Sequence, residues 1–230
     1  MELSDLIEGR FLRRVNRFIA EAQLADGTIV KAHLANTGRM RELLVCNNPC
    51  LLRHAANPAR KTDWDLLFVA QNERWVCLAA AMANDIFAEW LTAGKIQEFG
   101  SLSGFAREVK CDHSRFDFAL ETVTGKRLVE VKSVNLVENG HALFPDAPTT
   151  RGVHHVETLT RIARTGELAG IVFVTMGQYV ESVSFNSKHD PDFARAMHEA
   201  RDAGVVICAY SACFAMPNVI FEGRRQISWG

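Results

Sequence analysis

A chain of 230 residues with 48% hydrophobic and 23% charged side chains and a formal net charge of −1 has the balance of an ordinary folded protein, with room for one large core or two small ones. No apolar run is long enough to cross a bilayer, and the start MELSDLIEGRF lacks the basic, apolar and small-residue parts of a signal peptide, so a cytoplasmic protein with no membrane partner is expected. The near-neutral total excludes a uniformly basic binder, but residues 1–61 hold ten Lys and Arg against six Asp and Glu, so the front is basic and the back acidic.

From residue 11 to 78 the chain reads as short β-prone runs closed by turns. The runs are RVNRFIAEAQL, TIVKAHL, ELLV, CLLRHA, DLLFVA and WVCLA, and the turns are Asp26-Gly27, NTGR and QNER. This pattern predicts a small barrel of the five-stranded, oligonucleotide-binding type over residues 1–80, with Gly38 in NTGRM supplying a positive φ. Cys46, Cys50 and His54 are the nearest approach to a zinc cluster, but no second cysteine pair accompanies them, and buried thiols are the better reading. Trp64, Phe68 and Trp75 offer rings for stacking bases, although core packing is the commoner fate.

The pattern changes near residue 80. AAMANDIFAEWLTAGK is helical, with Met82, Ile86, Phe87, Trp90 and Leu91 on one arc and Gly94 as a stop. Three β-prone segments follow at 104–111, 115–121 and 127–136. After them come a helix near 152–165, a buried strand in GIVFVTM, a helix opened by Asp190 and Pro191, and a last core strand, VVICAY. The order is that of a second, α/β domain over residues 81–230, giving an α+β protein overall.

Glu-Val-Lys occurs twice, at 108–110 and 130–132. In the second copy Glu130 and Lys132 share a strand face, Val129 and Val131 take the other, and the preceding strand carries Asp117 between Phe116 and Phe118, both expected on the face opposite Asp117. The first copy has no earlier strand in its domain to supply an aspartate, so Glu108 reads as an exposed strand acid. Paired carboxylates suit Mg2+ or Mn2+, and a neighbouring lysine suits charge developing on a phosphoryl group. Asp117, Glu130 and Lys132 are thus candidates for a phosphodiesterase site, with Glu89 on the helix completing the ligand set. The plainer alternative is a strand decorated with a salt bridge.

Over nearly the whole chain, HLANTGRM, SRFDFAL, LVEVKSV, LFPDAPTTRGVHH and DPDFARAM resemble, in order, the hallmark segments of the sugar fermentation stimulation protein A family. The resemblance implies an N-terminal oligonucleotide-binding barrel, a C-terminal domain of the PD-(D/E)XK nuclease superfamily, non-specific DNA binding and a part in regulating maltose metabolism. It places the nuclease pattern on Glu89, Asp117, Glu130 and Lys132, with Phe116 where the superfamily name has proline.

For DNA contact, Arg13 and Arg17 on one strand face, with Lys31 across a hairpin, form the expected track. Arg39 in the turn is a further candidate. Arg151 and His155 fall near a helix N-terminus capped by Thr149 or Thr150, where phosphate binds readily. The sequence therefore predicts a protein that binds double-stranded DNA and carries a Mg2+- or Mn2+-dependent nuclease site. A non-catalytic DNA-binding regulator of sugar metabolism is the alternative.

Overall fold

The computed structural model describes residues 1–55, 59–111 and 114–229. Six strands come first: β1 (Leu6–Asn16), β2 (Ile19–Leu24), β3 (Ile29–His33), β4 (Pro49–His54), β5 (Trp64–Gln71) and β6 (Arg74–Cys77). They lie in the order β3-β2-β1-β4-β5-β6, and an additional pairing of β3 with β5 closes the first five into a barrel. Phe11, Ala20, Ala22, Ala32, Leu52 and Leu66 fill its interior, the small residues leaving room for the large ones.

The barrel differs from the sequence expectation in three places. The run 14–24 is not one strand: β1 begins at Leu6, and the chain turns at Arg17 and Phe18 into β2. The segment ELLV is a turn, with the Leu43 and Leu44 amides donating to the Met40 carbonyl and Leu43 buried in the barrel core. Apolar content alone made it look like a strand. Gly38 does not have a positive φ; a Cβ there would stand 2.5 Å from Asp146 Oδ2, so glycine is needed for room.

The second half contains α1 (Met82–Thr92), β7 (Leu102–Cys111), β8 (Ser114–Thr122), β9 (Gly125–Val134), β10 (Leu136–Glu138) and β11 (His141–Phe144). It continues with α2 (Thr150–Arg164), β12 (Leu168–Met176), β13 (Ser182–Phe185), α3 (Pro191–Asp202), β14 (Val206–Ala215) and β15 (Asn218–Ser228). The nine strands form one sheet ordered β10-β11-β13-β15-β14-β12-β9-β8-β7. VVICAY therefore does not end the sheet. β14 runs on to Ala215 and returns as β15, whose Glu222-Gly223-Arg224-Arg225 run breaks the apolar pattern that marks a strand in sequence.

Helices cover both faces of this sheet. α1 lays Ile86, Phe87 and Trp90 on Phe118, Val129, Val131 and Val172, while α2 and α3 lay Leu159, Phe193 and Met197 on Leu128, Ile171 and Phe173. Thr149 caps α2 by accepting from the Gly152 amide at 3.1 Å, and Asp190 caps α3 by accepting from the Phe193 amide at 2.9 Å. Among the described residues no helix is long and apolar enough to cross a membrane.

The barrel and the sheet share a core. Leu51, Leu67, Phe68 and Cys77 join the α1-side cluster, with the Phe68 and Phe214 rings packed edge to face at 4.8 Å. Phe68 is thus a core residue, and Trp64 and Trp75 are half-buried. At the seam, the Gln178 amide donates to Gln71 Oε1 at 2.9 Å, and Arg74 pairs with Glu222. Gly177 lies there at φ 109°, and a Cβ on it would stand 2.0 Å from the Trp75 carbonyl. Gly177→Ala should cost about 2–4 kcal/mol, because the obstacle is backbone and the φ disfavours any Cβ. Thermal melting should show a drop of about 2–4 °C per kcal/mol; Gly204→Ala, which shares a positive φ of 89° but whose Cβ would meet open space, should lower the midpoint less, by the part owed to the clash. Equal melting of the two variants would refute this account of the seam.

Candidate functional site

The site forms where two neighbouring strands part. β8 and β9 pair antiparallel from Thr122↔Gly125 to Phe118↔Val129, and their paired register ends there. β9 stays anchored on its other side, paired in parallel with β12 from Arg127↔Leu168 to Val134↔Thr175. The Asp117 carboxylate fills the opening: Oδ2 accepts from the Val131 amide at 2.8 Å, and Oδ1 accepts from Asn84 Nδ2 of α1 at 2.9 Å. A side chain takes the place of a ladder bond, so no buried amide is stranded.

This parting corrects the simple alternation expected of β8. Phe116 packs in the cluster under α2 and α3, whereas Phe118 packs in the cluster under α1, so the two flanking rings lie on opposite faces of the sheet. Across the ladder, β7 pairs Arg107 with Phe118 and Val109 with Phe116. Glu108 between them has φ 56°, a conformation costing about 1–3 kcal/mol in a residue with a Cβ. Its carboxylate pairs with Arg115 at 2.9 Å, so the first Glu-Val-Lys copy makes a surface ion pair.

Glu130 is only 5% exposed. Its Oε1 accepts from Lys132 Nζ at 2.5 Å and from His155 Nδ1 at 2.6 Å, while Oε2 is buried with no hydrogen-bond partner among the described residues. Burial pushes Glu130 up, but His155 and Lys132 more than offset this, and its carboxyl is held below the ordinary range. Asp117 moves the other way: burial first, then the Glu130 charge, raise it above the usual carboxylate range against the Val131 amide, Asn84 and Lys132. The two neighbouring carboxyls are thus shifted in opposite directions.

Three of the expected site residues are therefore brought together, and Glu89 is not. Glu89 lies on another face of α1 from Asn84, and it pairs with the Met1 amine. Asn84, not an acid, is the α1 residue that reaches the site. Among the described residues, no group of three or more His, Cys, Asp or Glu side chains is placed to hold a metal ion. Asp117 and Glu130 still fit a hard cation, because the partnerless Oε2 is a buried anionic donor and the raised Asp117 is a carboxylate short of positive charge. The Cys46, Cys50 and His54 cluster has no such character: burial pushes the Cys50 thiol up to about 12, while Cys46 and His54 are exposed.

His155 is not at the surface, where a DNA contact would need it. It is 5% exposed, with its ring against Phe116 and its Nδ1 on Glu130. The sequence signal for this was the helical phase of α2, which puts residue 155 with Val156 and Leu159 toward the sheet.

The basic residues also regroup. Arg13, Glu21 and Lys31 form one cross-strand row on β1, β2 and β3, and the Arg13 guanidinium bonds Glu21 at 2.7 Å. Arg17 sits in the turn, off that row. What organises it is Arg14, unremarked in sequence. Arg14 donates to the Gly38 carbonyl at 2.6 Å, the Arg17 carbonyl at 2.7 Å, the Arg39 carbonyl at 3.0 Å and the Asn36 carbonyl at 3.1 Å. It thereby ties the Arg17 turn to the 36–39 loop. That loop is bound to the second half: the Arg39 amide donates to Asp146 Oδ2 at 3.0 Å, and Asn36 reaches Asn135 Oδ1 at 3.4 Å, just past the end of β9. Exposed Arg17 and Arg39 thus share a rigid junction with the loop that leads from Asp146 to exposed Arg151 at the start of α2.

A closed five-stranded barrel fused through a shared core to a helix-covered mixed sheet, with two carboxylates and a lysine where two strands part, defines the class of protein. Residues 12–78 match the model described as SfsA N-terminal OB domain, and residues 81–217 match the sugar fermentation stimulation protein RE domain. The chain is 41% identical over 207 residues to a sugar fermentation stimulation protein homolog of Acetivibrio thermocellus, covering 90% of this chain and 88% of that one. It is 36% identical to the homolog of Methanothermobacter thermautotrophicus over 211 residues, covering 92% and 88%. The solved structure of Pyrococcus furiosus SfsA in complex with Ca2+ superposes with a TM-score of 0.91 at 30% identity, covering 99% of this chain and 98% of that one. The chain belongs to the sugar fermentation stimulation protein family.

The opposed shifts of the two carboxylates have a measurable consequence. Because the folded-state pKa of Asp117 is raised, its ionisation destabilises the fold above that pKa, and the penalty disappears as pH falls below the unfolded value near 4. Asp117→Asn keeps the shape and, after a flip of Asn84, both hydrogen bonds. In metal-free buffer at neutral pH it should melt higher than the parent, by about 2–4 °C for each kcal/mol relieved, and the gap should close as pH is lowered through the raised pKa. A variant that melts lower at neutral pH would contradict the assignment.

Proposed function

We propose that the chain is a Mg2+- or Mn2+-dependent phosphodiesterase of the PD-(D/E)XK type, acting on double-stranded DNA that it binds with little sequence preference. One observation carries this reading: Glu130 is a buried carboxylate with one oxygen saturated by Lys132 and His155 and the other without a donor, beside a second carboxylate that lacks positive charge. The Pyrococcus furiosus relative was solved in complex with Ca2+, which supports divalent-cation binding by a chain of this fold.

In this reading Asp117 and Glu130 hold the cation, and Asp117 is kept aimed by the Val131 amide and Asn84. A divalent cation bound there would neutralise phosphoryl charge and lower the pKa of a water at neutral pH. Lys132 is the mobile member. Its half-buried ammonium rests on Glu130 and can turn to a phosphoryl oxygen as charge gathers there. The shared core and the Arg14 junction hold the barrel rigidly against this site, so that Arg17, Arg39 and Arg151 line one approach for a phosphate backbone.

Calorimetry with Mn2+ tests the metal assignment. Asp117→Asn and Glu130→Gln should each abolish most of the binding, whereas Lys132→Ala should retain it and cut the rate of DNA cleavage by about 100-fold or more. A parent chain that binds no Mn2+ would overturn the phosphodiesterase reading and leave the carboxylates as structure.

Filter binding over a salt series tests the approach. Arg17→Ala with Arg39→Ala should weaken binding to unrelated duplexes by a similar factor and flatten the salt dependence by about one to two phosphate contacts. Arg13→Ala, whose charge is already paired with Glu21, should change the slope less. Loss confined to one sequence would point to base reading and away from this proposal.

A further inference from the structure

Lys132 and His155 both spend their hydrogen bonds on the same oxygen of Glu130. Buried carboxylates usually divide their donors between both oxygens, and here the division is complete: Oε1 has two and Oε2 has none. The two donors differ in kind. Lys132 is a half-buried ammonium on a flexible stem, free to leave for a phosphate. His155 is fixed. It projects from α2, whose start is capped by Thr149 and whose buried face includes Val156 and Leu159, and its ring lies against Phe116. With Glu130 ionised, Nδ1 is the donor in this pair.

We propose that His155 sets the cation preference of the site by holding Glu130 Oε1 engaged, so that Glu130 offers a cation one oxygen and not two. The inference rests on the reading of Asp117 and Glu130 as a cation site. Calcium commonly takes a carboxylate through both oxygens within a large, flexible shell. Magnesium demands an octahedral shell, keeps several waters and takes few protein oxygens. A Glu130 with one oxygen permanently occupied suits the second kind of ion. His155 is a positioning residue, acting through Glu130, and its effect persists when Lys132 turns away. Outer partners of metal-binding carboxylates commonly tune affinity by about 10–100-fold, which makes the effect large enough to read.

The experiment measures Mn2+ and Ca2+ dissociation constants by calorimetry on the full chain, with thermal melting as the control for folding. His155→Leu removes the donor, and Mn2+ affinity should fall about tenfold while Ca2+ affinity holds or rises, shifting the ratio toward Ca2+ by at least that factor. His155→Asn places an amide nitrogen where Nδ1 stood, and the parent ratio should return. If His155→Leu does not fold, His155→Gln takes its place, since its amide mimics the distal ring nitrogen and leaves the Nδ1 position empty. An unchanged ratio in a folded His155→Leu or His155→Gln variant overturns the proposal, as does an Asn variant that shifts as far as Leu. A purely structural histidine would lower the melting point and weaken both ions alike. Failure of the parent to bind either ion would instead overturn the cation site itself, so the two failures are distinguishable.

Discussion

Glu130 is a carboxylate buried in the middle of a sheet, and its surroundings follow from the need to offset the cost of that burial. Taking an ionised carboxylate out of water costs several kcal/mol even after relaxation. Glu130 recovers part of this through Lys132 on its own strand and His155 from the helix above. The uncompensated remainder sits on one oxygen, Oε2. The opening between β8 and β9 is itself bounded by a strained residue, Glu108, on the next strand. Unsatisfied charge, parted strands and backbone strain at one place are what a ligand site requires and what stability alone would remove.

The barrel is built as part of the same body. Leu67 and Phe68 of β5 lie in one apolar cluster with α1 and with Phe118 of β8. Hence the helix that supplies Asn84 to Asp117 also rests on the barrel. At the other end of the contact, Arg14 gathers the carbonyls of Asn36, Gly38 and Arg39, and Asp146 accepts the Arg39 amide. An arginine that satisfies carbonyls from two loops is a structural cross-link, and it costs the protein one cation that would otherwise face solvent. In return, the neighbouring Arg17 and Arg39 are presented from fixed backbone, which lowers the ordering cost of any anion they contact.

The opposite edge of the site shows why ion pairs have to be separated by role. Arg107 with Asp85 is an exposed surface pair, the kind that contributes little and is screened by salt. Lys132 with Glu130 differs because neither partner is well solvated, so the attraction between them is less screened. Two sequence copies of Glu-Val-Lys thus have different fates for one reason: β9 is paired on both sides, while β7 is at the sheet's edge.

By itself the sequence determined what local pattern can determine. The turn residues and β-prone runs marked a small barrel, the 3.6-residue period marked α1, α2 and α3 with Thr149 or Thr150 and Asp190 as caps, and alternation put Glu130 and Lys132 on one face with Val129 and Val131 on the other. Ordered family segments named the relationship. Tertiary structure alone decided which polar groups meet. Glu89 was the α1 residue the sequence pattern pointed to, and only the docking of that helix turned Asn84 to the site. Phe116 and Phe118 read as one face until β8 left β9. His155 is a surface candidate in sequence and a buried partner in space, and Arg14 is one arginine among several until carbonyls of the turn and of the 36–39 loop converge on it. Periodicity reports which way a side chain leaves its own backbone; partners 25 or more residues away are set by packing, where a rotation of a few tens of degrees exchanges one neighbour for another.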